Sequence, residues 1–216
     1  MHMLKYAIAA LIIIVLVGGG GYYYWQMQTA AAPEVVVPVD EQLPPTSTYA
    51  TSTFSVTYPV AFAIDSNYAY EQFEGKPIFG VKFTVPESMA TSTNLSSDTY
   101  VSVETLPRAN ACSGDIYLPA DVRATSETYG GVTYSVASSS DAGAGNLYEE
   151  FVYALPDSQP CTAVRYFIHS TQLGNYPDGT VTAYDRAALI AAFDSIRRSV
   201  TLSGQATTTQ TIRMDQ

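Results

Sequence analysis

The chain has 216 residues, a formal net charge of −10 and only 14% charged residues. That length holds one ordinary domain plus appendages, and roughly 150 residues are enough to bury a self-sufficient core. Every Asp and Glu follows Trp25. The acidic part repels phosphate backbones, which excludes nucleic acid as a partner; it can attract cations or basic partners, and it keeps the domain soluble.

Tyr6 to Val17 is an apolar run, followed by Gly18–Gly21 and the aromatic cluster Tyr22, Tyr23, Tyr24 and Trp25. The stretch 6–25 is about the length that crosses a bilayer as a helix, and its aromatic end suits the headgroup level. Lys5 precedes the run, and the next basic residue is Lys76. That asymmetry predicts a cytoplasmic N-terminus and an extracytoplasmic remainder. A cleaved signal peptide is the rival reading. Against it, the small residues Ala30–Ala32 come late, and Pro33 blocks cleavage after Ala32. The expected organisation is a membrane anchor over 1–28, a Pro/Thr-rich linker over 29–53, an exported domain over 54–202 and a polar, disordered tail over 203–216.

Alternation dominates the domain. Phe54, Val56 and Tyr58 interleave with Ser55 and Thr57, and Pro59 stops the run. Phe79 to Val85, Val101 to Glu104 and Val132 to Val136 repeat the pattern. Period-two patterning marks half-buried strands. Leu147 to Ala154 and Ala163 to Ser170 read as two more, joined by a loop that holds Pro156, Asp157 and Pro160. Asp185 is a good N-cap, and Leu189, Phe193 and Ile196 then form a helical stripe closed by Arg197 and Arg198. Ser199 to Leu202 reads as a closing strand. The predicted fold is α+β: an antiparallel sheet of six or seven strands with a C-terminal helix packed on one face, plus one N-terminal transmembrane helix.

Phe54-Ser-Val-Thr-Tyr-Pro59 and Phe193-Asp-Ser-Ile-Arg-Arg-Ser-Val-Thr-Leu202 resemble the two ends of PsbP-like domains. A Trp often follows the Tyr-Pro pair there; here Phe62 stands near its place. The layout of anchor, linker and domain is also similar to that of uncharacterised membrane-anchored bacterial envelope proteins. The resemblance implies an antiparallel sheet flanked by helices and a binding or assembly role, and it supplies no catalytic residues.

Cys112 and Cys161 are the two cysteines. An even count in an exported domain points to a disulfide, which would close a loop of roughly 50 residues and contribute about 4 kcal/mol in the chain-entropy model. Two buried thiols or a redox pair are the alternatives, and the wide spacing argues against the latter.

His169 is the domain's one histidine. Strand alternation places Arg165, Phe167 and His169 on one face, and Val164, Tyr166 and Ile168 on the other, expected to be the core. A catalytic reading makes His169 a general base oriented by Glu149 or Glu150. The ordinary reading is a hydrogen-bonded strand histidine, because no nucleophile context accompanies it. One histidine argues against zinc, and no cofactor motif is present.

Asp141-Ala-Gly-Ala-Gly-Asn146 lacks the third glycine and the following helix of a dinucleotide site. It reads as a hairpin connection, with Asp141 and Asn146 as candidate binding residues together with Arg165. Asn175 to Gly179 is turn chemistry of the same kind. Asn94-Leu95-Ser96 matches a glycosylation acceptor. Glu149 and Glu150 point to opposite faces, and an inward-facing one needs a partner, for which Arg165 is the candidate. Two functions remain open: a membrane-tethered module of the cell envelope that binds a protein, glycan or cation, or an envelope hydrolase using His169 with a carboxylate.

Overall fold

The computed structural model describes residues 44–119 and 121–203. The expected anchor, most of the linker and the tail lie outside them. Among the described residues, no helix is long and apolar enough to cross a membrane.

Seven strands form one antiparallel sheet: β3 (Ala63–Tyr70), β4 (Ile78–Thr84), β5 (Tyr100–Leu106), β6 (Thr125–Tyr129), β7 (Val132–Gly143), β8 (Asn146–Leu155) and β9 (Cys161–Thr171). Their order is β3-β4-β5-β9-β8-β7-β6. A second, three-stranded sheet runs β1-β2-β10, from β1 (Thr46–Ala50), β2 (Phe54–Pro59) and β10 (Thr201–Leu202). A four-residue helix, α1 (Glu87–Ala90), follows β4, and α2 (Arg186–Arg198) precedes β10.

The large antiparallel sheet matches the expectation; the single-sheet plan does not. The first and last expected strands leave it and pair with each other, Ser55 opposite Thr201 and Phe54 opposite Leu202. The fold is mostly β with one C-terminal helix. β1 takes residues 46–50 out of the expected linker, because β2 offers Thr48, Tyr49 and Ala50 an antiparallel partner at Thr57, Val56 and Ser55. The closing strand is shorter than expected. Ser199 caps α2 instead, and its hydroxyl accepts from the Thr57 N–H at 2.8 Å.

Local chemistry explains α2. Its Asp185 cap accepts from the Ala188 N–H at 2.9 Å, and its interior is rich in alanine. Leu189, Phe193 and Ile196 are buried on the sheet. Each contributes about 1.5–3 kcal/mol of hydrophobic burial.

Both faces of the sheet are buried, which corrects the expectation of a single core face. On the helix face, Val81, Phe83, Val101, Val103, Val164, Tyr166 and Ile168 pack under α2 and β2. On the opposite face, Tyr68, Tyr70, Tyr100, Val152, Ala154 and Ala163 pack with Tyr117 and Leu118. The latter two belong to residues 107–119 and 121–124, an irregular cover containing a short 3₁₀ turn, Gly114–Tyr117. Arg165 lies on this cover face, beside Ser102 on β5 and Val152 on β8.

Candidate functional site

The cover is tied down by three contacts. Cys112 and Cys161 form a disulfide that joins the cover to the start of β9 across a sequence separation of 49. Gly114 then lets backbone meet backbone. A Cβ there would lie 2.8 Å from both Ala137 N and Ser135 O, so only glycine permits this approach. The Tyr117 hydroxyl donates to the Cys161 carbonyl at 2.7 Å.

Beneath the cover lies a buried ion cluster. Arg165 is fully buried. Its Nε donates to Glu104 Oε1 at 2.8 Å, and its Nη2 donates to Glu104 Oε2 at 2.9 Å and to the Tyr117 carbonyl at 2.7 Å. Nη1 donates to Glu150. The Tyr70 ring lies over the guanidinium, with its centroid 3.5 Å from Cζ. Burial pulls the guanidinium down, but Glu104 and then Glu150 outweigh it and leave its pKa raised. Burial likewise pushes the Tyr68, Tyr70 and Tyr100 phenols up. A buried arginine this fully bonded is a rigid floor, not a free cation.

Glu150 is therefore the inward carboxylate, and Arg165 is its partner, as its alternation with Glu149 suggested. Glu149 points to the helix face and receives Arg186 Nη1 at 2.6 Å. Sequence reasoning missed Glu104. Its signal was the run Val101-Ser-Val-Glu104, which places Ser102 and Glu104 on one face; that face is buried rather than solvated.

Glu150 also lines an open cleft of about 390 Å³, together with Tyr70, Gln72, Pro119, Ser139, Ser140, Asp141 and Tyr148. The Tyr70 hydroxyl donates to Glu150 at 3.1 Å. Candidates Asp141 and Glu150 thus share one wall system, and candidate Arg165 lies under it.

His169 lies outside this cleft. Tyr148 lines the cleft, and its ring stacks on His169 with centroids 4.4 Å apart. His169 Nδ1 is 2.8 Å from Asp98 Oδ1, and Nε2 is 3.0 Å from Asn146 Oδ1. Its carboxylate partner is Asp98, not Glu149 or Glu150. The expected partners fail for simple reasons: Glu149 faces the other side of the sheet, and Glu150 is held by Arg165. Both ring nitrogens are occupied, and no hydroxyl nucleophile bonds to them.

Asp141 and Asn146 flank the expected hairpin connection. Asp141 belongs to β7 and Asn146 to β8, and the turn is only Ala144-Gly145, with φ of 51° and 81°. Asn94 is a structural residue. Its Nδ2 donates to the Thr171 carbonyl at 2.7 Å, and its Oδ1 accepts from the Tyr184 N–H at 3.0 Å. The amide that a glycan would need is already in use. Among the described residues, no group of three or more His, Cys, Asp or Glu is placed to hold a metal ion.

No family model matches the sequence, and no curated protein matches it. Among solved structures, the chain is similar to one from Bacteroides thetaiotaomicron VPI-5482 with 13% identity and a TM-score of 0.37, covering 69% of this chain. It spans 44% of that chain's length.

Proposed function

We propose that this protein is a membrane-tethered, extracytoplasmic binding module of the cell envelope, and that the cleft between Tyr70 and Tyr148 is its ligand seat. The observation that carries the reading is the cleft itself. Six of its eight lining residues, Tyr70, Gln72, Ser139, Asp141, Tyr148 and Glu150, offer it a side-chain hydrogen-bonding group, and its floor is fixed by the Arg165 cluster. A concave site with convergent polar groups on rigid strands suits recognition. The apolar run 6–25, the charge asymmetry around it and the disulfide support an exported, anchored domain. The resemblance to the ends of PsbP-like domains points the same way: the first motif is β2, and the second runs from the end of α2 into β10, which pairs with β2.

The hydrolase reading draws on one observation, the Asp98–His169 contact. It requires a hydroxyl or water position at the free ring nitrogen, and Asn146 occupies that nitrogen.

Photo-crosslinking tests the binding reading. A photoreactive residue at Gln72, on the cleft rim, is expected to yield adducts in intact cells. The same residue at Phe79, 63% exposed on the helix face, is expected to yield none. Equal yields from the two positions would refute the cleft as the seat.

A further inference from the structure

We infer that the cleft takes a neutral sugar ring. This rests on the binding-module reading and narrows it to one ligand class.

The lining excludes the alternatives in turn. Among the described residues, no lysine or arginine lines the cleft. The nearby Arg165 is fully buried and committed to Glu104, Glu150 and the Tyr117 carbonyl. Phosphates and acidic sugars therefore find no countercharge and meet Asp141 and Glu150 instead. An apolar ligand finds only Pro119 and the tyrosine rings, and it would strand the Ser139 hydroxyl without a partner.

An ammonium group fits less well than the two carboxylates suggest. Glu150 already accepts from Tyr70 and from Arg165. Asp141 alone remains, and it stands exposed on β7, where a single ion pair adds little. An ammonium group also only donates, whereas Ser139 and Gln72 each offer donors as well as acceptors. A sugar hydroxyl both donates and accepts. Adjacent hydroxyls can give to Asp141 and receive from Gln72 and Ser139. The carbon–hydrogen face of the ring can lie on the Tyr148 side chain, which is held flat by stacking on His169.

Saturation-transfer NMR on the full-length chain decides it, in a detergent without a sugar headgroup. The probes are the methyl glycosides of glucose, galactose, mannose and N-acetylglucosamine, with 1,5-diaminopentane as the ammonium probe. The expected result is transfer to at least one glycoside and none to the diamine. Ser139→Trp, on the cleft side of β7 opposite Glu150, fills the cleft and is expected to weaken transfer at least tenfold, and Asp141→Asn severalfold. Transfer to the diamine alone, to none of the probes, or undiminished in Ser139→Trp overturns the sugar assignment. Crosslinks from Gln72 without glycoside transfer would sink the sugar and leave the binding module standing. Loss of both would sink both.

Discussion

Each face of the large sheet buries one arginine, and the two are satisfied by different chemistry. On the cover face, Arg165 faces two carboxylates and a carbonyl. On the helix face, Arg197 donates to the Tyr166 hydroxyl at 2.8 Å and to Asp194 at 3.0 Å. The rings of Tyr129, Tyr134 and Tyr153 surround it at 4.7, 4.8 and 4.4 Å. Its Nη1 has no hydrogen-bond partner among the described residues and lies against those rings. The difference separates two uses of a buried charge. The aromatic cage closes a hydrophobic core around α2. The carboxylate cluster fixes a floor under an open cleft that Glu150 lines.

The largest expected effect breaks the cover face. Arg165→Met leaves Glu104 and Glu150 facing each other without a cation, at a cost of about 3–5 kcal/mol. Denaturant unfolding at neutral pH reads it. Replacing all three with apolar residues of similar volume is expected to recover most of that loss; a triple variant as unstable as Arg165→Met would contradict the assignment.

Removing the disulfide with Cys112→Ala and Cys161→Ala is expected to cost about 3 kcal/mol. Amide hydrogen exchange should rise first in residues 107–124, while α2 keeps its protection. Uniform loosening of both faces would argue against an independent cover.

Alkaline titration sharpens the comparison further. Burial raises the phenols of Tyr68, Tyr70, Tyr100 and Tyr117 on the cover face. On the helix face it raises those of Tyr166 and Tyr153, the latter to about 12. The unfolded chain releases these protons near pH 10, whereas the folded chain keeps them. Their contribution is therefore full below about pH 10 and falls as the pH climbs towards the folded values, by up to about 1.4 kcal/mol per pH unit for each tyrosine. Tyrosinate absorbance should appear together with unfolding. Early, non-cooperative ionisation would mean that these rings are not buried.

Smaller effects are expected on the helix face. Arg197→Met keeps an apolar chain among the tyrosines and is expected to cost about 1 kcal/mol by denaturant unfolding. Glu149→Gln removes a solvent-exposed pair with Arg186 and should change stability by less than about 1 kcal/mol.

Much of this fold was legible. Strands β2, β4, β5, β7, β8 and β9 each carry valine, tyrosine or phenylalanine at alternate positions, and Asp185 announces α2. The unread strands are the edges. β3 (AIDSNYAY) and β6 (TSETY) each bury one flank at most and so need no apolar alternation. β1 hid in a Thr-rich segment that resembles a linker. At the site, pairing Glu150 with Arg165 needed only the register of adjacent strands β8 and β9. Glu104 and Asp98 come from β5 and the segment before it, more than 60 residues away from their partners. No local pattern encodes that distance. The cover was unreadable for another reason: its role rests on a disulfide and a glycine contact, not on periodicity.

The central claim is that ligand recognition lives in the Tyr70–Tyr148 cleft and not at His169. The most direct measurement compares Gln72 crosslinking yields in intact cells for Ser139→Trp and for His169→Phe, which keeps a ring under Tyr148 and removes the imidazole. Loss in Ser139→Trp with retention in His169→Phe is the predicted result. Retention in Ser139→Trp with loss in His169→Phe would contradict the account and move the site to the histidine.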